Sequence, residues 1–173
     1  MSEEDDITLA PVAAGEWPAF KRALQAAFAP AAIAAFGPLD EPIPSDADLD
    51  GARAAPGAEA LHIRQGGALV GGAVVGIDVT TRHNTLDFFF ITPAAHDRGL
   101  GLAAWRAIER RYPQTRVWRT HTPYFEKRNI HFYVNKCGFR IVAFYNAHHP
   151  DPHRPDGDDP PGLDEAFLFE KIM

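Results

Sequence analysis

Apolar residues recur in two periods along the chain, and the switches between them mark its elements. Residues 7–12 read as a short first strand. Trp17, Phe20, Leu24 and Phe28 then recur at three and four residues, which predicts a helix with one buried stripe, ended near Pro30. Residues 31–36 are expected to add at most a turn or a short helix. Residues 37–57 are rich in Pro, Gly and Asp and predict a loop with no more than local helix. Residues 58–65 and 68–79, joined by Gly66 and Gly67, predict two strands linked by a two-residue glycine turn. Residues 86–91 follow as a strand. Its unbroken apolar run, Phe88 to Ile91, suits a central strand covered on both faces, and Pro93 ends it.

Helical spacing returns over residues 99–112, where Leu102, Trp105, Ala107, Ile108 and Tyr112 form the apolar side and Arg106, Arg110 and Arg111 the polar one. Residues 115–122 alternate as a strand, residues 125–137 predict a helix closed by Gly138, and residues 139–146 and 166–172 predict two more strands. Between the last two lies a polar loop, residues 148–162. A run of strands followed by alternating strands and helices implies a mixed sheet with helices on both faces. The length of 173 residues is that of one domain, expected to span residues 1–173.

Charge refines this picture. The net charge is −6, but residues 1–60 hold 11 acids against 3 bases, residues 61–147 hold 5 against 12, and residues 148–173 hold 7 against 2. A basic centre within an acidic protein suits a compact anionic ligand and argues against a nucleic-acid partner. No run is long and apolar enough for a membrane span, the first residues are acidic where a secretory signal would be basic, and the one cysteine, Cys137, allows no internal disulfide. A cytoplasmic protein without a membrane partner is expected.

The chemistry concentrates where the central strand meets the helix at residue 99. A strand, a loop with Gly99 and Gly101 and a helix start together make an anion cradle, because the first turn of a helix leaves amides without partners and glycine lets a phosphate approach them. Gly99, Gly101 and Ala104 also satisfy a dinucleotide pattern. That pattern needs an acid about 20 residues further on, where the chain has Thr120, His121 and Thr122. The nucleoside triphosphate loop fails as well, since no lysine followed by serine or threonine comes after the glycines.

The run His96-Asp97-Arg98-Gly99-Leu100-Gly101 resembles the Q/R-x-x-G-x-G/A signature of the GNAT superfamily of acyl-CoA-dependent N-acyltransferases, with His96 in place of glutamine or arginine. The run from Glu126 to Phe139 looks like the same family's N-x-x-x-Y-x-K-x-G-F segment. The clear resemblance covers residues 86–145. It implies an α/β (α+β) fold with a mostly antiparallel central sheet of about six to seven strands. It implies that acetyl-CoA, as co-substrate and without a metal, lays its pantetheine along the backbone of Phe89, Phe90 and Ile91. The pyrophosphate would rest on Arg98, Gly99, Leu100, Gly101, Leu102 and Ala103, next to His96 and Asp97. Asn129 and Tyr133, four residues apart and so expected on one helix face, would complete the site.

Tyr133 is the expected general acid, since a phenol titrating near ~10 holds a proton for a thiolate of pKa about 8.5. An attacking amine must first lose its own proton. Asp87, expected to share side-chain parity with Phe89 and Ile91, leads as the base, with His121, His83 and Glu126 as alternatives. Strand amides near Phe90 would meet the oxyanion if the strand opens there. The acceptor is expected to be a small-molecule or peptide amine, and the acidic stretches at residues 40–50 and 151–159 would favour a cationic one. Cys137, Trp105 and Trp118 read as core residues, and His148, His149 and His153 as part of a solvated loop rather than a metal site. The alternative function is a non-catalytic CoA-binding or sensor module of the same fold. Either a monomer or a homodimer agrees with the sequence.

Overall fold

The computed structural model describes residues 6–96, 98–152 and 164–173. Seven strands form one sheet: β1 (Ile7–Pro11), β2 (Ala58–Gln65), β3 (Ala68–Gly76), β4 (His83–Ile91), β5 (Val117–Pro123), β6 (Arg140–Tyr145) and β7 (Ala166–Ile172). Their order across the sheet is β1-β2-β3-β4-β5-β7-β6. Every neighbouring pair is antiparallel except β4 and β5, which run parallel. The sheet is mixed and mostly antiparallel, as expected, and β4 sits at its centre. Gly66 and Gly67 (φ 54° and 85°) make the β2–β3 turn, a conformation open to glycine without strain.

Helices cover both faces. On one side α1 (Trp17–Phe36) and α2 (Asp46–Ala54) bury Trp17, Phe20, Leu24 and Leu49 against Val74 and Phe90. On the other, α3 (Leu100–Arg111) brings Trp105 and Ile108 onto Trp118, Phe139 and Phe169 of the larger cluster. The sequence expectation of a helix ending near Pro30 is corrected: α1 runs through Pro30 to Phe36. Proline removes one helical hydrogen bond at a cost of about 3 kcal/mol. The following residues offset this, because Ala31, Ala32, Ala34 and Ala35 are strong helix formers, Ala32 is fully buried, and the Phe36 ring meets Phe125 edge-on at 5.1 Å.

The stretch expected to be mainly loop contains α2. Its start is set by Ser45, whose hydroxyl accepts from the Asp48 amide at 3.1 Å, and its place by the fully buried Leu49. Three acids of the first acidic stretch are used there. Asp48 belongs to the cap, Asp46 accepts from Gln25 at 2.8 Å, and Asp50 accepts from the Trp17 indole at 2.8 Å and pairs with Lys21 at 3.0 Å. Those contacts fasten α2 to α1 and account for these carboxylates without an acceptor. Among the described residues no helix is long and apolar enough to cross a membrane.

Candidate active site

The sheet opens at its centre. β4 and β5 pair only from His83 to Leu86 against Val117 to Thr120, after which β4 continues along β3 and β5 along β7. The fork coincides with a bulge. Val75 faces Leu86 and Val74 faces Phe88, so Asp87 is an extra residue with no partner of its own on β3. A bulge interrupts alternation, and this corrects the expected parity. Phe89 and Ile91 pack on the α3 side and Phe88 on the α1 side, while the Asp87 carboxylate lies with Thr85 beside Gly76. Asp87 is open to solvent. The surrounding protein nevertheless raises its carboxyl above the ordinary range, with a hydrogen bond to Thr85 acting the other way.

Past the end of β4 the chain turns through Pro93–Ala95 into α3. The His96 ring lies 2.7 Å from the Ile91 carbonyl and ties the loop to the strand end. Gly99 caps the helix at φ 71°, the left-handed region, and no side chain caps the first turn. The first helical bond is the one from the Ala103 amide to the Gly99 carbonyl, at 3.4 Å, so the amides of Leu100, Gly101 and Leu102 come before any internal bond. Buried Leu100, Ala103 and Ala104 hold this end of α3 on the sheet. An open row of amides at the positive end of a fixed helix is able to receive an anion. Arg98 is exposed, and Asp97 lies outside the described residues.

The second motif folds less simply. α4 (Lys127–His131) gives way to a π turn at Phe132–Lys136. A π turn absorbs one residue more than an α-helix, and this chain has one residue more than N-x-x-x-Y-x-K-x-G-F between the tyrosine and the lysine. The wider turn separates the two side chains expected on one face. Asn129 lines the cavity described below, whereas Tyr133 is 5% exposed and packs among Phe132, Phe139 and Phe169. Its hydroxyl hydrogen-bonds Thr120, whose own hydroxyl donates to the Leu86 carbonyl at 2.8 Å. Leu86 and Thr120 are the last β4–β5 pair, so the phenol points to the apex of the fork. Burial pushes its pKa up and keeps it protonated.

A cavity of about 430 Å³ lies at the end of β4, between α1, the start of α3 and the segment from Glu126 to Lys136. Phe89, Phe90, Ile91, His96, Gly99, Leu100, Gly101, Leu102 and Asn129, all expected at the site, line it; Asp87, Arg98, Ala103 and Tyr133 are not among its lining. The sequence reading missed the wall from α1, formed by Ala27, Phe28 and Ala31, and the part played by Phe132. The Phe132 ring stacks on Phe89 at 5.9 Å, and a Cβ on Gly101 would meet it at 3.2 Å. Glycine at 101 therefore makes room for this ring as well as for an anion.

Glu126 also lines the cavity. It is 7% exposed, its Oε1 has no hydrogen-bond partner, and burial raises its pKa to about 7. The two histidines considered as bases lie elsewhere: His83 is exposed at the start of β4, and His121 pairs with Asp151 at 3.4 Å and stacks on Tyr145. Cys137 is buried with its thiol pushed up to about 12, in keeping with a core role. His153 and residues 153–159 of the second acidic stretch lie outside the described residues, among which no group of three or more His, Cys, Asp or Glu could hold a metal.

A family model described as the acetyltransferase (GNAT) family matches residues 19–139. The chain belongs to this family. The uncharacterized protein YrkN of Bacillus subtilis (strain 168) is 55% identical over 162 residues, spanning 90% of this chain and 88% of YrkN. Solved GNAT structures share the fold at low identity. One from Elizabethkingia anophelis with acetyl-CoA bound has a TM-score of 0.69 at 16% identity, covering 98% of this chain and 99% of that one. The ribosomal-protein-S18-alanine N-acetyltransferase from Escherichia coli has a TM-score of 0.67 at 14% identity, covering 96% and 93%.

Proposed function

We propose that this GNAT protein transfers an acetyl group from acetyl-CoA to a primary amine by direct attack, with both substrates bound together. The observation that carries this reading is the uncapped first turn of α3 opening onto the fork between β4 and β5. A diphosphate seated on the amides of Leu100, Gly101 and Leu102 would let the pantetheine follow the edge of β4 that β5 leaves unpaired beyond Leu86. This would lay the thioester toward the apex, where strand amides near Phe90 would meet the developing oxyanion. Family membership and the acetyl-CoA bound in the E. anophelis structure support the choice of co-substrate.

In the reaction, the amine nitrogen bonds to the thioester carbonyl carbon, the tetrahedral adduct expels the sulfur, and Tyr133 turns its proton from Thr120 to the thiolate. The adduct nitrogen, still carrying one proton too many, returns that proton to the phenol. The acceptor in this reading is a small-molecule or peptide amine, and the reaction needs no metal.

One observation favours a second reading, a CoA-binding module without catalysis: Tyr133 does not line the cavity, and the Phe132 ring covers Gly101 instead. A thiol-release assay with acetyl-CoA over a library of primary amines separates the two. Transfer predicts release that depends on one class of amine and saturates with it. Tight acetyl-CoA binding with no amine-dependent release would establish the silent module.

A further inference from the structure

Among the described residues Glu126 is the one carboxylate that lines the cavity, and its Oε1 oxygen is buried without a hydrogen-bond partner. Its backbone is fully engaged. The amide donates to the Pro123 carbonyl at 3.0 Å, and its carbonyl accepts from the Asn129 and Ile130 amides at 3.0 and 3.2 Å, which fixes the start of α4. The side chain takes no part in that cap. Burying a carboxylate without a partner is costly, and such a group persists where a ligand completes it.

A buried carboxylate without a partner suits a cation. The α1 wall of Ala27, Phe28, Pro30 and Ala31 carries no titratable group, and β4 contributes only Phe89, Phe90 and Ile91. The remaining titratable groups around the cavity are His96 before α3, Arg128 and His131 on α4 and Lys136 on the π turn, all of them basic. Tyr133 is close enough to Glu126 for the carboxylate to raise the phenol's pKa.

We propose that Glu126 receives the acceptor's ammonium and takes its proton, in place of Asp87, which sits on the bulge outside the cavity. This rests on the transfer reading above. The carboxylate removes one proton from R-NH3+, the free amine attacks the thioester to give the tetrahedral adduct, the carbon–sulfur bond of the adduct breaks, the thiolate takes the Tyr133 proton and the nitrogen's excess proton returns to the phenol as above, and Glu126 later loses its proton to solvent. A carboxyl titrating at about 7 is poised for this exchange at neutral pH.

The test compares kcat/KM against pH for the wild type, Glu126→Gln and Glu126→Asp, on an alkylamine found by the thiol-release screen and on an arylamine that is unprotonated at neutral pH. The wild type should gain activity on the alkylamine through a limb centred at about pH 7. Glu126→Gln should lose this limb and about 10²- to 10⁴-fold in rate, with at least tenfold less damage on the arylamine. Glu126→Asp should keep the limb at a reduced rate, and both variants should bind acetyl-CoA like the wild type. A limb that survives in Glu126→Gln overturns the assignment, whether or not it vanishes in Asp87→Asn. A wild type that accepts no amine fails the transfer reading itself.

Discussion

Replacing Tyr133 with phenylalanine is expected to lower kcat about 10²- to 10³-fold while affinity for acetyl-CoA stays within about twofold. The ring belongs to the core, where Phe139 and Phe169 surround it, and phenylalanine keeps that packing. What disappears is the hydroxyl that points to the fork apex through Thr120. Without it the thiolate leaves with its full charge or waits for a proton from water. Because burial raises the phenol's pKa, the proton is held firmly and its transfer is less favourable than from an ordinary tyrosine, which places the effect in the lower part of the range for general acids. For the same reason Tyr133 stays protonated at every practical pH and should add no limb to the pH profile. Steady-state kinetics with calorimetric binding measures both quantities, and equal turnover would remove Tyr133 from the mechanism.

A second large effect should appear in stability. The Glu126 carboxyl titrates at 4.5 in the unfolded chain and about 7 in the folded one. Below about pH 4.5 it is protonated in both states and contributes no difference. As pH rises from there to about 7, the unfolded chain releases the proton while the folded chain keeps it, so folding weakens, and above about 7 the loss is constant. One pKa unit corresponds to about 1.4 kcal/mol; with allowance for partial solvent access, the loss reaches roughly 2 to 3 kcal/mol. Glu126→Gln cannot ionise and escapes it. Relative to the wild type it should gain that much between about pH 4.5 and 8, some 5 to 10 °C in Tm for a chain of this size. Urea or thermal unfolding at the two pH values checks this, and parallel curves would show that Glu126 is not strained in the fold.

Both effects arise at positions where the sequence is legible only in part. Hydrophobic spacing locates the buried stripe of α1, the apolar run of β4 and the face of α3, because a core residue must recur with the period of its element. The uncapped start of α3 is legible too, since Gly99 and Gly101 follow a buried strand and open a helix. The departures are local. Pro30 reads as a stop, yet Ala32 and the Phe36–Phe125 contact carry α1 past it and place Ala27, Phe28 and Ala31 against the cavity. Counting residues in twos assigns Asp87 a face, and a bulge defeats that count. Counting in fours puts Asn129 and Tyr133 together, and the π turn defeats it. The extra residue before Lys136 is the visible signal of that turn. Glu126 stands out in the sequence only as one acid among several, because burial without a partner is a property of the folded chain.

The central claim is that the open amides at the start of α3 and the free edge of β4 hold acyl-CoA. The most direct measurement is the change in backbone amide NMR shifts as CoA is titrated into the protein. The largest changes should fall at Gly99, Leu100, Gly101 and Leu102, with a second group from Phe89 to Ile91. Saturable changes confined to other parts of the sheet, or no changes at millimolar CoA, would contradict it.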